Sequence, residues 1–398
     1  MQAVILVAGK STRTYPLTLT RPKPLLPIAN RTIIEFLLEQ LDGWVDEVIL
    51  VVGYRKEMIE QRLGRQWQRL KITYCEQKEQ WGTGHAVLQA EPLIHDRFLA
   101  LNGDDIYDRN DMQQLFKYKY AALVRYEEDP SQYGVYHVDE HNRVLNLIEK
   151  PKTFVGNLTN VGCYLFDRAI FEILKTTPRS ERNEIEITSA VLTLAQQTPF
   201  YVHPIQGFWL ANGFPWELLQ SQEFFMKQQP PGGIRGSVES GAQLMGPVAI
   251  GENTRIKAGA YIEGPVIIGN NCIIGPNCFI RGYTSIGDNC MIGHSVEIKN
   301  SIIMNNTRIS HLSYVGDSVI GEGVNLGAGF ISANVRHDGQ HVLSQVKGKL
   351  FDTGRTKLGT IIGDGVKTGI RTSVYPGRKI WPGKQTQIGQ IVKYDLTD

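Results

Sequence analysis

A six-residue spacing is the feature that most constrains this chain. From Ile250 an aliphatic residue recurs at Ile256, Ile262, Ile268, Ile274, Ile280, Ile286, Ile292, Ile298 and Met304. Two positions before each stands a smaller or β-branched residue: Val248, Thr254, Ala260, Val266, Cys272, Cys278, Thr284, Cys290, Val296 and Ile302. A run of that length in register excludes chance, and the period is too short for helix pairs or propeller blades. It predicts a hexapeptide β-helix in which three hexads close one triangular coil. The aliphatic residues stack inside, and Gly or Asn takes the corners that need positive φ. The register slips after Met304, to Ile309, Val315, Ile320 and Leu326. Residues 335–357 carry no hexad, so a long loop is expected to protrude there, and Pro376-Gly377 with Pro382-Gly383 suggests a closing cap. Three of the five cysteines fill the smaller slot, where they read as small buried hydrophobes rather than redox or metal groups.

Upstream the grammar is different. Apolar strands at Ala3 to Ala8, Val48 to Val52 and Phe98 to Leu101 alternate with amphipathic helices at Ile33 to Leu41 and Glu57 to Leu63. This order predicts an α/β domain with a mostly parallel, Rossmann-like sheet whose ligands sit beyond the C-terminal strand ends. The Gly-containing turn after the first strand and Asn102-Gly103-Asp104-Asp105 after the fourth are therefore expected to line one crevice. Gln228-Gln229-Pro230-Pro231-Gly232-Gly233 can continue neither helix nor central strand. The expected organisation is an α/β domain over 1–228, a linker over 229–236 and a β-helix over 237–398.

Charge and composition exclude several classes. Lys plus Arg is 42 against 40 Asp plus Glu, a net charge of +2, which leaves no field to draw the chain onto nucleic acid or an anionic membrane. No apolar run approaches the roughly 20 residues that span a bilayer, and no basic leader precedes the first strand, so a soluble cytoplasmic protein is expected. No CxxC pair is present, which argues against a structural zinc.

The opening, Leu6-Val7-Ala8-Gly9-Lys10-Ser11-Thr12-Arg13, ends a strand in a loop able to present backbone N–H groups to phosphates, and Arg13 and Lys23 can add positive charge. It matches neither the P-loop nor the dinucleotide spacing. The longer run LVAGKSTRTYPLTLTRPKPLLPI closely resembles the signature of sugar-1-phosphate nucleotidylyltransferases, and further motifs follow in the family's order. The resemblance implies Gly9, Lys10, Ser11, Gln77, Gly82 and Thr83 on the nucleotide and Arg13 and Lys23 as phosphate clamps. It further implies Asp104 as a Mg²⁺ ligand and Gly134, Glu149 and Asn160 on the sugar. Where many relatives have a second metal-binding aspartate, this chain reads Trp209-Leu210-Ala211-Asn212-Gly213. Ala211 cannot bind a metal, so either Mg²⁺ binding is weakened or Asn212 takes over as ligand.

The β-helix carries a second constellation, Ser310-His311-Leu312-Ser313-Tyr314-Val315-Gly316-Asp317 followed by Asn325 and Asn334. It resembles the acetyltransferase half of bifunctional enzymes that acetylate glucosamine 1-phosphate and uridylylate the product, and the extra basic loop carrying Lys347 and Lys349 resembles the archaeal form of these enzymes. The resemblance implies a left-handed coil, a homotrimer with sites between subunits, acetyl-CoA as co-substrate and His311 as the base. It places Arg281, Lys299, Tyr314, Asn325, Asn334 and Lys357 on the sugar phosphate or reacting groups. Two alternatives stay open at this point: a single-activity glucose-1-phosphate thymidylyltransferase or uridylyltransferase with a passive trimerising helix, and a non-catalytic assembly protein. UTP and dTTP present the same base edge, so the sequence leaves that choice open too.

Overall fold

In a computed structural model, residues 1–397 are described, and they form two compact units. The first comprises Met1–Lys10 and Ile33–Ala211; the second comprises Ser11–Thr32 and everything from Asn212 onward. This division cuts through the 1–228 segment instead of falling at the Pro-Gly linker.

The first unit is built on β1 (Gln2–Leu6), α1 (Ile33–Leu41), β2 (Glu47–Val52), α2 (Lys56–Leu63), β3 (Leu70–Glu76), α3 (Thr83–Gln89), β4 (Phe98–Asn102) and β5 (Asp105–Tyr107). It continues with β6 (Ala121–Tyr126), β7 (Gly134–Val138), β8 (Val144–Glu149), β9 (Leu158–Phe166), α4 (Ala169–Thr176), α5 (Ile187–Gln197), β10 (Tyr201–Pro204) and β11 (Trp209–Ala211). The sheet order is β8-β7-β9-β4-β1-β2-β3, with the short strand Gln66–Trp67 at the β3 edge and β6 and β10 on a branch from β9. The four strands β4, β1, β2 and β3 run parallel, as their unbroken apolar runs require for strands covered on both faces. β9 pairs antiparallel with β4, β6 and β7, and β7 with β8, whereas β10 joins the branch by pairing parallel with β6. The start of β1 lies next to that of β4, and Leu6 pairs with Asn102. The two Gly-bearing turns thus leave the sheet side by side, as the strand order predicts.

The second turn is tightly packed. A Cβ on Gly103 would lie 2.3 Å from Val7 Cγ1, and one on Gly162 would lie 2.0 Å from Asn102 Nδ2, with Gly162 also at φ +77°. Only glycine allows β9 and β1 to press on Asn102-Gly103-Asp104 from both sides.

The second unit is a parallel β-helix of three sheets, each strand paired with the one a coil earlier. Its interior columns are those the hexads predict: Ile256, Ile262, Ile268, Ile274, Ile280, Ile286, Ile292 and Ile298 are all at most 1% exposed. The slip comes earlier than Met304, however. Ile286 pairs with Ile303, and Ile303 with Ile320, so the turn at Asn300-Ser301 is one residue short and Ile303 takes the interior place assigned to Met304. Met304, itself buried, occupies the next corner. Asn253, Asn271, Asn289 and Asn306 repeat at one corner with φ between +56° and +60°.

The smaller slot has a second task that hydrophobicity does not reveal. Thr254 Oγ1 accepts from Cys272 N at 2.9 Å, Cys272 Sγ from Cys290 N at 3.4 Å, Ser301 Oγ from Ser318 N at 3.1 Å and Ser318 Oγ from Thr360 N at 3.0 Å. Each small side chain thus receives a backbone N–H from the coil above, an N–H that would otherwise be buried without a partner. Cys272 is therefore a hydrogen-bonding member of a hydroxyl ladder as well as a small filler. All five cysteines are unpaired.

Residues 335–357 do not simply protrude. Val335 bridges Lys357, and inside that closure a hairpin forms from Leu343–Val346 and Lys349–Asp352. The hairpin is pinned through Ser344 Oγ to Gly377 O at 2.9 Å and Lys379 Nζ to Gln345 O at 2.7 Å, and Phe351 packs on Phe214 with ring centroids 5.7 Å apart. Lys379 is 1% exposed.

Two tests follow from this packing. Burial lowers the Lys379 pKa from 10.5 to about 8, despite Asp395 nearby. Between those pH values the unfolded chain binds more protons, so folding stability should rise with pH. Urea unfolding at pH 7.5 and 9.5 should show that rise in the wild type and a flatter dependence in Lys379→Met; parallel curves would remove Lys379 as the cause. Gly162→Ala should cost more than ~1 kcal/mol, because a positive φ and a clash combine. A thermal midpoint equal to wild type would contradict the packing described for Asn102.

Candidate functional sites

In the first unit the loop after β1 keeps Gly9 and Lys10 exposed, with no atom within 4 Å of a Cβ at Gly9. Backbone there is open to an incoming phosphate. Gln80 Nε2 donates to Ala8 O at 2.8 Å and ties the segment between Gln77 and Thr83 to this loop. Gln77 is 5% exposed; its Nε2 donates to Gly82 O at 3.0 Å and lies 3.1 Å from His85 Nδ1. Gly82 has φ +100°, and a Cβ there would meet Ile185 O at 2.8 Å, so glycine is dictated by backbone as well as by any base contact. Thr83 Oγ1 accepts from Ile187 N at 3.3 Å, which assigns its hydroxyl to the start of α5.

Asp104 is half-buried in the turn between β4 and β5. Its neighbour Asp105 is buried and engaged by Tyr107 OH at 3.4 Å and Asn102 Nδ2 at 3.3 Å. Asp104 and Asp105 therefore have separate settings. Among the described residues no cluster of three or more His, Cys, Asp or Glu forms a metal cage. One carboxylate is nonetheless a sufficient protein contribution for Mg²⁺, which usually keeps waters and takes substrate phosphates as its other ligands.

The residues expected on the sugar, Gly134, Glu149 and Asn160, lie on β7, β8 and β9. Gly134 pairs with Glu149 across β7 and β8, and a Cβ at Gly134 would stand 3.0 Å from Glu149 Oε2. Burial raises the Glu149 pKa, although Arg182, 3.2 Å away, opposes that. Asn160 Nδ2 donates to Tyr164 OH at 2.6 Å and its Oδ1 accepts from Gly162 N at 3.2 Å.

In the second unit the signature segment is coiled tightly. Ser11 has φ 49°, and its carbonyl accepts from Thr14 N at 3.0 Å and Thr18 Oγ1 at 2.9 Å. The Arg13 guanidinium lies over the Phe214 ring, 5.3 Å from its centroid, and Lys23 is 2% exposed. Both cations act on Glu217, whose carboxylate also accepts from Phe214 N at 2.8 Å; burial nevertheless raises its pKa. Sequence reasoning gave Glu217 no role, because one acid in the first turn of the helix Glu217–Gln228 carries no motif. Asn212 is fully buried and its Oδ1 accepts from Ser221 Oγ at 2.9 Å.

The β-helix holds a cavity of about 600 Å³ lined by Arg281, Lys299, Asp317, Arg355 and Lys357, among others. Its organiser is Asp317, 2% exposed, which the sequence analysis quoted without a role. Its carboxylate accepts from Asn334 Nδ2 at 2.6 Å and Asn300 Nδ2 at 2.7 Å, and Lys299 Nζ stands 3.2 Å away. Asn334 Nδ2 also reaches Tyr314 OH at 3.1 Å. Four cations against the carboxylates of Asp317, Glu223 and Glu263 leave the hollow one positive charge in excess, which suits a phosphate monoester. Arg281 is also held by Glu297 at 3.1 Å.

His311 is not in this cavity. It is exposed at the end of strand Arg308–His311, level with His294 one coil earlier, and Asn325 is exposed on the coil that follows. Strand Tyr314–Gly316 separates the imidazole from the Asp317 corner. Three extended residues span roughly 10 Å.

Comparison with known proteins agrees with both halves. Residues 2–228 match the nucleotidyl transferase family model, and 262–388 match the model of a GMPPB C-terminal domain. The "Bifunctional protein GlmU" of Methanocaldococcus jannaschii is 42% identical over 99% of this chain and 96% of its own length. The "Bifunctional sugar-1-phosphate nucleotidylyltransferase/acetyltransferase" of Sulfurisphaera tokodaii is 38% identical over 100% and 98%. A crystal structure of UDP-glucose pyrophosphorylase complexed with UDP-glucose matches with TM-score 0.54 at 24% identity, over 57% of this chain and 99% of that one, which shows the shared fold. The open loop after β1, the cation-lined hollow and end-to-end similarity lead to one conclusion: the chain belongs to the nucleotidyl transferase family, among its bifunctional sugar-1-phosphate nucleotidylyltransferase/acetyltransferases.

Proposed function

We propose that the chain makes UDP-N-acetylglucosamine in two steps: acetyl transfer from acetyl-CoA to glucosamine 1-phosphate, then uridylyl transfer from UTP to the product. The functional halves are 1–228 and 237–398, joined by 229–236. The observation that carries the acetyl step is the Asp317-centred hollow, in which Arg281, Lys299 and Lys357 gather for an anion on a surface that a merely structural β-helix would leave unbuilt.

In the acetyl step the sugar amine attacks the thioester carbonyl and passes its proton to the His311 imidazole, which acts as general base. The tetrahedral oxyanion then collapses, and the departing coenzyme A thiolate recovers the proton. Arg281, Lys299 and Lys357 hold the sugar phosphate, while Tyr314, Asn325 and Asn334 orient the reacting groups. Strand Tyr314–Gly316 lies between the hollow and its own chain's His311, so the two do not share one pocket. That separation supports a homotrimer in which a neighbouring copy completes each site.

In the uridylyl step an oxygen of the sugar phosphate attacks the α-phosphorus in line and pyrophosphate leaves. Arg13 and Lys23 neutralise the triphosphate and the departing pyrophosphate, Gly9, Lys10 and Ser11 offer backbone N–H groups, and Gln77, Gly82 and Thr83 form the base pocket. Gly134, Glu149 and Asn160 hold the sugar. Mg²⁺, held by Asp104, supplies further charge neutralisation when bound. Of the two readings of Asn212, its burial and its bond from Ser221 favour the one-carboxylate site with weaker metal binding. No helix among the described residues is long and apolar enough to cross a membrane, in keeping with a cytoplasmic enzyme.

His311→Ala should lower thiol release from acetyl-CoA by about 10²- to 10⁴-fold while pyrophosphate release from UTP and N-acetylglucosamine 1-phosphate persists. Undiminished thiol release would remove His311 as the base. Asp104→Asn should abolish pyrophosphate release at ordinary Mg²⁺, whereas Asn212→Ala should leave the Mg²⁺ dependence unchanged; a raised Mg²⁺ requirement in Asn212→Ala would restore Asn212 as a ligand.

A further inference from the structure

The segment bearing Arg13 and Lys23 is fastened to the β-helix by a half-buried ion cluster. Arg21 Nη2 lies 2.7 Å from Asp364 Oδ2 and 2.9 Å from Glu322 Oε2, with its side chain 14% exposed. Thr20 Oγ1 donates to the same Asp364 oxygen at 2.7 Å, and Asp364 Oδ1 accepts from Glu322 N at 2.8 Å. Asn30 Nδ2 adds a bond to Ile286 O at 2.6 Å near the other end of the segment. Glu322 and Asp364 sit at the same corner of adjoining coils, directly after the paired strands Val319–Ile320 and Ile361–Ile362. Neither lines the Asp317 hollow.

We propose that Arg21, held by Asp364 and Glu322, is a positioning residue of the uridylyl step, so that the β-helix fixes the phosphate clamps of the other reaction. The inference rests on the reading of Arg13 and Lys23 as those clamps. Lys23 stands two residues from Arg21 between Pro22 and Pro24, whose fixed φ carries the anchor's position to the lysine backbone. A flexible lysine stem aims its charge only as well as its backbone is placed, and phosphoryl transfer depends on alignment more than on covalent help. Removing Asp364, whose side chain is 18% exposed, leaves Arg21 with only the more exposed Glu322 as its partner.

The test uses the full chain. Asp364→Asn, Arg21→Met, Arg21→Lys and the double variant Arg21→Met/Asp364→Asn are assayed for both activities and for thermal midpoint, with Lys23→Met as control. Asp364→Asn should lower uridylyl kcat by about ten- to a hundredfold, the penalty of a misplacement near 1 Å, with little change in KM for UTP and wild-type acetyl transfer. Arg21→Lys should recover part of the loss seen in Arg21→Met, and the double variant should be no worse than either single one, as members of one unit behave. Wild-type uridylyl kcat in Asp364→Asn, while Lys23→Met is inactive, would overturn the positioning role alone. Full activity in Lys23→Met would overturn the underlying reading of the clamps. Equal loss of both activities with a lowered midpoint in Asp364→Asn would reduce the cluster to a structural tie and sink the proposal.

Discussion

Parallel stacking sets the terms for the β-helix. Each coil lies about 4.8 Å above the last, so every residue answers to the one a coil earlier: Ile286, Ile303, Ile320, Ile362 and Ile380 form one interior column through successive pairings. A residue out of register would expose an aliphatic side chain and bury a polar one. The hydroxyl ladder completes the constraint, because corner N–H groups need an acceptor of the right size. Corners are then the places where the chain can carry chemistry without disturbing the stack. Asp317, Glu322, Asp364 and Asn300 all stand at corners.

Two polar centres exploit this scaffold differently. The Asp317 hollow gathers cations around one buried carboxylate and leaves charge for an anionic ligand. The Asp364–Glu322 pair is matched by Arg21, whose pKa is raised because the two carboxylates outweigh the cost of burial. A third contact belongs to the same design. Gln222 is fully buried, and its amide donates to Tyr283 O and Ser301 O and accepts from Ser285 Oγ and Ala29 N. Every hydrogen bond of that side chain is spent on joining the helix and the signature segment to the coils, which is why the compact unit ignores the Pro-Gly boundary.

Much of the fold was legible because burial imposes periodicity. The helix Ile33–Leu41 and the strand cores near Val48 and Phe98 follow from apolar runs, and the interior isoleucines follow from the hexad. The early slip at Asn300 was hidden because Ile302, Ile303 and Met304 are all apolar, so the pattern alone could not say which faces inward. The hairpin over 343–352 was invisible as a docked element, because its anchors are a lysine and a serine that read as surface residues. Candidate site residues were found through motifs; Asp317 and Arg21 lie inside the quoted runs, but their partners Asn300, Asn334, Glu322 and Asp364 stand elsewhere in the chain, and Glu217 belongs to no motif.

The central claim is that one polypeptide carries two independent chemistries in sequence. The most direct measurement supplies glucosamine 1-phosphate, isotopically labelled acetyl-CoA, UTP and Mg²⁺, and follows label into the nucleotide sugar. The account predicts label incorporation by the wild type, none by His311→Ala or Asp104→Asn alone, and recovery when the two variants are mixed, because the acetylated sugar phosphate passes between them. Label incorporation by either variant alone, or an inert mixture of two folded variants, would contradict it.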